Sequence, residues 1–181
     1  MDFVEFPKIA RLSRECVITE KIDGTNGCIG IGEDGSFQVG SRTRWLTSDT
    51  GDNHGFLLWA LTNKNELMKL GPGTHFGEWW GSGIQRGYGL VKGEKRFSLF
   101  NVHRWTDDVA RPACCSVVPE LCRGIFNTQD VNECLDSLRR NGSKASPGFM
   151  KPEGIVIFHT AGGYLFKKTI EKDEQPKGLQ R

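Results

Sequence analysis

A possible covalent nucleophile lies near the start of the chain, in residues 20–26, which read EKIDGTN. The apolar residues 16–18 before it are typical of a β-strand. Since alternate side chains of a strand share a face, we expect Lys21 and Asp23 to point the same way. Gly24 then permits a turn that a Cβ would hinder. A lysine beside a carboxylate in a concave site can be a nucleophile, but an ordinary surface hairpin with a salt bridge fits these residues equally well.

Further polar side chains lie at the ends of other predicted strands. The segments read FGEWWG around Glu78, FSLFNV around residues 97–102, KPEGIVI around Glu153 and LFKKT around residues 165–169. Apart from residues 20–26, the charged residues that we consider at strand ends are Arg42, Arg44, Glu78, Glu153, Lys167 and Lys168. Strand ends can bring such residues together from distant parts of the chain, so the predicted elements decide whether they form one site.

Those elements alternate short strands with two helices. We predict strands at 16–23, 27–33, 36–41, 74–80, 96–104, 153–159 and 163–170, and helices at 52–70 and 128–140. The pair Asp34-Gly35 indicates a hairpin. Thr128 is the predicted cap of the second helix. Residues 105–127 stay unassigned apart from a short helix or strand near Val117, and the tail 171–181 is expected to fray. The pattern predicts an α+β domain built on antiparallel sheet, with flanking helices.

Length and composition limit the function classes. The chain has 181 residues, a net charge of +2 and 25% charged residues, which is typical of one globular domain and gives no bulk signal for a nucleic-acid partner. The six cysteines lack zinc-site spacing, and we expect reduced, buried thiols. The sequence shows neither a secretory signal nor a membrane span, which predicts a cytoplasmic protein without a membrane partner. Phe3, Val4, Phe6 and Ile9 are predicted core anchors.

The ordered segments resemble motifs I, III, IIIa, IV and V of the covalent nucleotidyltransferase superfamily of ATP-dependent ligases and capping enzymes. The likeness is greatest to RNA ligases of the T4 RNA ligase 2 type, and it runs from about residue 18 to 170. It implies an antiparallel-sheet, ATP-grasp-like ligase adenylation domain. We expect residues 1–181 to form that single adenylyltransferase domain, with no appended OB-fold or helical C-terminal domain.

The resemblance implies roles for the first motifs. Lys21 matches the nucleophile that attacks the α-phosphorus of ATP and becomes a lysyl-AMP phosphoramidate, which requires a neutral amine. Asp23 orders the site, and Asn26 helps to orient the nucleotide phosphates. Glu78 matches the acid that binds the ribose hydroxyls. The flanking motif I residues Glu20 and Ile22 are also assigned to the nucleotide site.

The resemblance assigns the remaining residues less uniquely. Glu153 matches the acid that helps to hold a divalent metal, Mg²⁺ with Mn²⁺ as the alternative. Lys167 is favoured over the adjacent Lys168 as the lysine that contacts the α-phosphate. Phe97 is favoured as the aromatic that stacks on the purine, with Phe100 as its rival. Arg42 is our choice for the motif Ia arginine, with Arg44 beside it.

The resulting hypothesis is an ATP-dependent RNA ligase of RNA repair. It forms lysyl-AMP, transfers AMP to a 5′-phosphate end and seals that end to a 3′-OH, acting as a monomer on RNA or DNA ends. The alternatives within this class are a minimal DNA ligase and a GTP-using capping enzyme. The alternative from another class is a nucleotide-binding or nucleic-acid-end-binding module without turnover.

Overall fold

Two β-sheets form the framework of the protein in the computed structural model, which describes residues 1–106 and 111–175. The strands are β1 (Glu15–Lys21), β2 (Thr25–Ile31), β3 (Phe37–Gly40), β4 (Gly73–Gly81), β5 (Lys95–Leu99), β6 (Cys115–Val117), β7 (Glu120–Ile125), β8 (Gly154–His159) and β9 (Tyr164–Thr169). The α-helices are α1 (Phe56–Thr62), α2 (Lys64–Leu67) and α3 (Thr128–Asn141). Single 3₁₀ turns occupy Met68–Leu70 and Gly87–Gly89.

The first two strands belong to different sheets. The four-stranded sheet has the order β7-β1-β8-β9, and the five-stranded sheet has the order β3-β2-β4-β5-β6. The pairing is antiparallel except between β5 and β6. Residues 22–24 therefore cross from one sheet to the other, which places the motif I segment at their junction. This architecture confirms the predicted α+β domain built on antiparallel sheet.

Each sheet buries one face against helices, and a third apolar cluster fills the junction. Helices α1 and α2 cover the five-stranded sheet, whereas α3 covers the four-stranded sheet. At the junction, Ile22 packs with Trp80, Tyr88 and Val118. Trp79 and Trp80 are 2% and 1% exposed, so both rings belong to the core. The junction is thus supported by packing.

Helix α3 shows how the sequence pattern produces its element. Its buried residues recur at the spacing of one helix face, and they are Val131, Cys134, Leu135 and Leu138. The helix is capped by Asn127, whose side chain accepts a hydrogen bond from the Asp130 amide, so the predicted cap at Thr128 was wrong by one residue. It ends at Gly142, where φ is +79°.

Several predicted boundaries differ from the structure. Strand β1 ends at Lys21, β5 ends at Leu99, and the unassigned region contains β6 and β7. In the first predicted helix, Asn53 lies outside α1, although Asp52 accepts a hydrogen bond from the Leu58 amide. Residues 107–110 of the unassigned region and 176–181 of the tail lie outside the described residues.

The predicted core anchors near the start of the chain are exposed. Phe3, Val4, Phe6 and Ile9 are all at least three-quarters exposed, so that prediction was wrong. The physical reason is that no helix or strand forms before Glu15 in the described chain, and these residues are therefore not carried onto a sheet face. All six cysteines are free thiols. Within the described residues, no helix is long and apolar enough to cross a bilayer.

The burial of α3 leads to a test of the four-stranded sheet's core. Replacing Leu135, which is 1% exposed, by Ala should lower the free energy of unfolding by about 2–5 kcal/mol, because it leaves a cavity. The same change at Leu58, which is 67% exposed, should cost no more than about 0.5 kcal/mol. Urea denaturation of the two variants measures both values. Equal losses would contradict the packing described here.

Candidate active site

The candidate nucleophile lies at the end of β1 and pairs with an acid from the far end of the chain. Lys21 is aligned with Gly154 of β8, and this alignment brings its Nζ to 2.6 Å from Oε2 of Glu153. The Glu153 side chain is 4% exposed and the Lys21 side chain 18% exposed. The amine is therefore held in a fixed position but remains reachable from one side.

Two glycines of the motifs allow close approaches of main chain. A Cβ on Gly24 would lie 2.4 Å from the carbonyl oxygen of Trp79, and one on Gly154 would lie 2.2 Å from that of Lys168. Side chains do not fit at such distances. Gly24 thus lets motif I pack on β4, and Gly154 lets β9 pack on the residue after Glu153.

Glu78 faces the junction from the five-stranded sheet. It is aligned with Asn26 of β2 and accepts hydrogen bonds from Asn26 Nδ2 at 3.0 Å and from the Gly24 amide at 2.9 Å. Burial raises the pKa of this carboxyl to about 7, an effect that these donors and the charge of Lys21 oppose. Near neutral pH, Glu78 therefore exists in both protonation states.

Asp23 lies beyond the end of β1 and binds a loop that the sequence interpretation left without a role. Its Oδ2 is 3.0 Å from Nε of Arg86, and its amide donates to the Tyr88 hydroxyl at 2.8 Å. Arg86 also donates to the Lys151 carbonyl at 3.1 Å. Both partners come from the glycine-rich loop after β4. The sequence offered only an arginine and a tyrosine among glycines as a signal, so sequence reasoning missed them.

The side chains of Glu20 and Ile22 are turned away from Lys21. The Glu20 carboxylate accepts hydrogen bonds from Ser143 Oγ at 2.5 Å and from the amides of Lys144 and Ala145 at 2.7 and 3.0 Å. Burial raises its pKa. Ile22 belongs to the apolar cluster of the junction. Main-chain atoms are therefore what both residues can offer to a nucleotide.

The register of β9 separates the two adjacent lysines. Lys167 is aligned with Val156 of β8, on the sheet face that also carries Lys21. Lys168 lies on the opposite face, with its Nζ 3.7 Å from Oδ2 of Asp173. The structure thus brings Lys167 to the face of the candidate nucleophile, as the preference for it requires, and places Lys168 elsewhere.

Phe97 does not suit the purine-stacking role that we preferred for it. It is 0% exposed, is aligned with Trp79 rather than Glu78, and packs 5.0 Å from Phe56 between ring centroids. Its ring is part of the core under α1, and this expectation needs correction. The rival Phe100 is 39% exposed and follows β5 on the Glu78 side. Burial thus removes one of the two candidates.

Arg42 and Arg44 line a hollow of about 290 Å³, and Thr25 and Asn53 also belong to its lining. Arg44 donates to the Thr50 carbonyl at 2.7 Å. Asn53 accepts a hydrogen bond from Thr25 Oγ1 at 3.1 Å. The sequence pattern placed Asn53 only in the helix predicted at 52–70, and its position in three dimensions reveals the contact.

The acidic residues of the junction fit a site for Mg²⁺ in which the protein supplies few of the oxygen ligands and the nucleotide phosphates and water supply the others. Among the described residues, no three His, Cys, Asp or Glu side chains form a metal cluster by themselves. Mg²⁺ is commonly bound through one or two carboxylates together with substrate phosphates and water. Glu153, a buried hard-oxygen donor beside Lys21, has the chemistry for such a ligand.

A family model described as RNA ligase matches residues 14–169 of this chain. The chain belongs to the RNA ligase family. The matched residues include the motif I segment, both candidate acids and Lys167, and this membership confirms the family that the ordered motifs indicated. No curated protein matches the chain in sequence.

Solved structures that share this fold include Naegleria gruberi RNA ligases. A lysine-to-methionine variant with AMP and Mn matches with a TM-score of 0.63 and 21% identity over 87% of this chain and 50% of that chain. A lysine-to-alanine variant with ATP and Mn gives a TM-score of 0.59 with the same identity and coverage. The chain therefore spans about half the length of those solved chains.

The raised pKa of Glu78 predicts how stability depends on pH. Between pH 4.5 and about 7 the folded protein keeps a proton that the unfolded chain releases, so the free energy of unfolding should fall as pH rises, by up to about 3 kcal/mol. Glu78→Gln should flatten this slope, whereas Glu33→Gln at an exposed glutamate should keep it. Urea denaturation across this range gives the slope, and an unchanged slope in Glu78→Gln would refute the assignment.

Proposed function

We propose that this RNA ligase chain is an adenylyltransferase that captures AMP from ATP on Lys21. The observation that carries the proposal is the ion pair between Lys21 and Glu153, 2.6 Å long and set at the junction where Glu78 enters from the other sheet. The Lys21 amine attacks the α-phosphorus of ATP. A P–N bond forms, the bond to the β-phosphate oxygen breaks, and pyrophosphate leaves.

The variants chosen in the Naegleria structures support the same residues. They include changes to a lysine, to an aspartate two positions after it and to a glutamate 57 positions after it. They also include changes to a glutamate and to a lysine that follows it by 14 positions. The first spacing relates Lys21 to Asp23 and Glu78 here, and the second relates Glu153 to Lys167.

The ion pair defines what must change before the attack. An amine attacks only after it loses its proton, and the Lys21 amine is paired with Glu153. Glu153 is also our proposed ligand for Mg²⁺ or Mn²⁺. A bound divalent cation would add positive charge beside the ATP phosphates. If Glu153 bound that cation, its carboxylate would no longer neutralise the charge of Lys21.

The remaining residues divide the nucleotide between them in this proposal. Glu78 accepts hydrogen bonds from the ribose hydroxyls, with Asn26 and Gly24 fixing its orientation. Lys167 contacts the α-phosphate from the Lys21 face of the sheet and offsets charge that develops during transfer. Phe100 replaces Phe97 as the ring that stacks on the purine.

The later steps complete a ligase cycle. AMP passes from Lys21 to the phosphate of a 5′-phosphorylated RNA end, which restores the amine and creates a 5′–5′ pyrophosphate linkage. A 3′-hydroxyl then attacks the RNA phosphate, forms the phosphodiester and expels AMP. These transfers depend on positioning and on charge stabilisation. DNA ends, GTP as the donor, or nucleotide binding without turnover are the alternative outcomes.

Incubation with ATP labelled on its α-phosphate tests the first step. In the presence of Mg²⁺ or Mn²⁺, wild-type protein should acquire an acid-labile, hydroxylamine-sensitive AMP adduct, and folded Lys21→Ala should not. Labelled GTP in a parallel reaction identifies the donor, and nicked duplexes with RNA or DNA at the break identify the substrate. A wild-type protein that binds ATP but forms no adduct would be a binding module.

The adjacent lysines of β9 provide a matched pair of variants. Lys167→Ala should slow adduct formation by at least about 100-fold, because a cation at the α-phosphate is lost. Lys168→Ala removes the same side chain from the opposite face and should stay within about threefold of wild type. Initial rates with labelled ATP measure both. If Lys168→Ala formed the adduct more slowly than Lys167→Ala, the assignment of Lys167 to the α-phosphate would be wrong.

The two phenylalanines should separate into a binding role and a folding role. Phe100→Ala should raise the KM for ATP in adduct formation by about 2- to 10-fold, the usual value of one stacked ring, with little change in stability. Phe97→Ala should lower the free energy of unfolding by about 3–5 kcal/mol. ATP titration and urea denaturation of each variant decide the assignment.

A further inference from the structure

The open face of the five-stranded sheet carries exposed aromatic rings both next to the candidate nucleotide site and farther from it. Phe76 lies two residues before Glu78 on β4, on the same face, and is 56% exposed. Cys28, aligned with Phe76 on β2, is covered although it faces the same side. Trp45 lies farther out on this face and is 44% exposed. We call Phe76 and Trp45 the outer aromatic pair.

Two glycines form a seat for the indole ring of Trp45. A Cβ on Gly30 of β2 would lie 2.8 Å from the ring, and a Cβ on Gly40 of β3 would lie 3.1 Å from it. Neither glycine has a positive φ, so the backbone conformation does not require glycine at either position. The glycines instead let the ring lie against the sheet, with its other side open.

Cationic and hydroxyl groups lie in the same segment of chain as Trp45. This segment provides Arg42 and Arg44, which line the hollow of about 290 Å³. The rest of its lining is Thr25, Ser41, Thr43, Leu46, Thr50, Gly51 and Asn53. The described lining thus contains two guanidinium groups and several hydroxyls but no carboxylate. A groove beside Trp45, about 210 Å³ in volume, is lined without charged residues among those described.

We propose that the outer aromatic pair stacks on unpaired bases of the polynucleotide, while Arg42 and Arg44 hold its phosphates. Interleaved aromatic rings and cations are the usual means of binding a single strand, because every base has a flat face and every nucleotide a phosphate. The inference rests on the proposed function, since it assigns the substrate of that same site a path across the sheet.

Distance distinguishes this path from the ATP site. Asn26, beside Glu78, and Gly30, beneath Trp45, are four residues apart on β2, or about 13 Å. A purine whose ribose is held at Glu78 does not extend that far. A stacked strand covers the same distance in about four nucleotides. Trp45 therefore suits a base of the polynucleotide.

Fluorescence anisotropy without ATP tests the proposal on a short single-stranded RNA with a 5′-phosphate and a 3′-hydroxyl. The matched probe is the same strand with abasic riboses, which keeps every phosphate and removes every base. Trp45→Ala should raise the Kd for the normal RNA by about 5- to 100-fold and leave the Kd for the abasic strand unchanged. Phe76→Ala should act in the same direction.

Three further variants locate the effect. Trp45→Phe should recover part of the affinity, and Gly30→Val should weaken binding by displacing the indole from its seat. Tyr164→Ala, at a ring 67% exposed on the other sheet, should bind RNA like the wild type. Circular dichroism confirms that each variant is folded. Equal weakening by Tyr164→Ala, or equal weakening toward the abasic strand, would overturn the proposal.

Lysyl-AMP formation by the same variants separates this inference from the proposed function. Trp45→Ala should form the adduct at the wild-type rate. A raised KM for ATP in both Trp45→Ala and Phe76→Ala, with unchanged RNA binding, would assign the rings to the nucleotide and overturn the path. A wild type that binds RNA through these rings but forms no adduct would refute only the adenylyltransferase. Failure of the wild type to bind the RNA would refute only the path.

Discussion

The close contact between the motif I turn and strand β4 is the constraint on which the rest of the site depends. Gly24 approaches the main chain of Trp79 so closely that a side chain would not fit, and its amide is thereby free to donate to Glu78. This contact joins the two sheets where β1 leads into β2. It brings Glu78 of one sheet near enough to Lys21 of the other for the lysine to favour the charged form of that carboxyl.

Three glutamates are buried around this junction, and each is satisfied differently. Burial of a carboxylate is unfavourable unless hydrogen bonds or a counter-charge compensate for lost water. Glu20 has three protein donors and serves to hold the loop after α3. Glu78 has two donors and titrates near neutrality. Glu153 is paired with Lys21, a partner that the proposed chemistry must release. Structural and reactive roles therefore follow from the partner of each acid.

The sequence could predict features that depend on short local motifs, but it could not predict features that depend on three-dimensional packing. Lys21, Glu78 and Glu153 could be chosen as candidate site residues because each lies in a short motif on or beside a strand. The sequence could not show which of the two candidate rings is buried. Phe97 and Phe100 lie in similar sequence surroundings, and only the packing of α1 on the sheet distinguishes them.

Other parts of the site lacked any periodic pattern. Arg86 and Tyr88 come from a glycine-rich loop whose left-handed residues no strand or helix rule describes, yet they bind the main chain and side chain of Asp23. The apolar residues near the start of the chain show a different error, because burial was predicted for them and the structure leaves them exposed. Composition suggested a core position for Phe3 and Phe6, but no element carries them into one of the described clusters. Apolar character without periodicity is a weak guide to burial.

Strand register explains how one lysine of an adjacent pair can be singled out. A shift of a single residue in β9 would exchange Lys167 and Lys168 between the two faces of the sheet. The observed register aligns Gly154 with Thr169 and Val156 with Lys167. Gly154 permits close packing of β9 at this point, because the Lys168 carbonyl and the Thr169 Cα occupy the space that a side chain would fill. The acid, the glycine and the lysine form one geometric unit although 14 positions separate its ends.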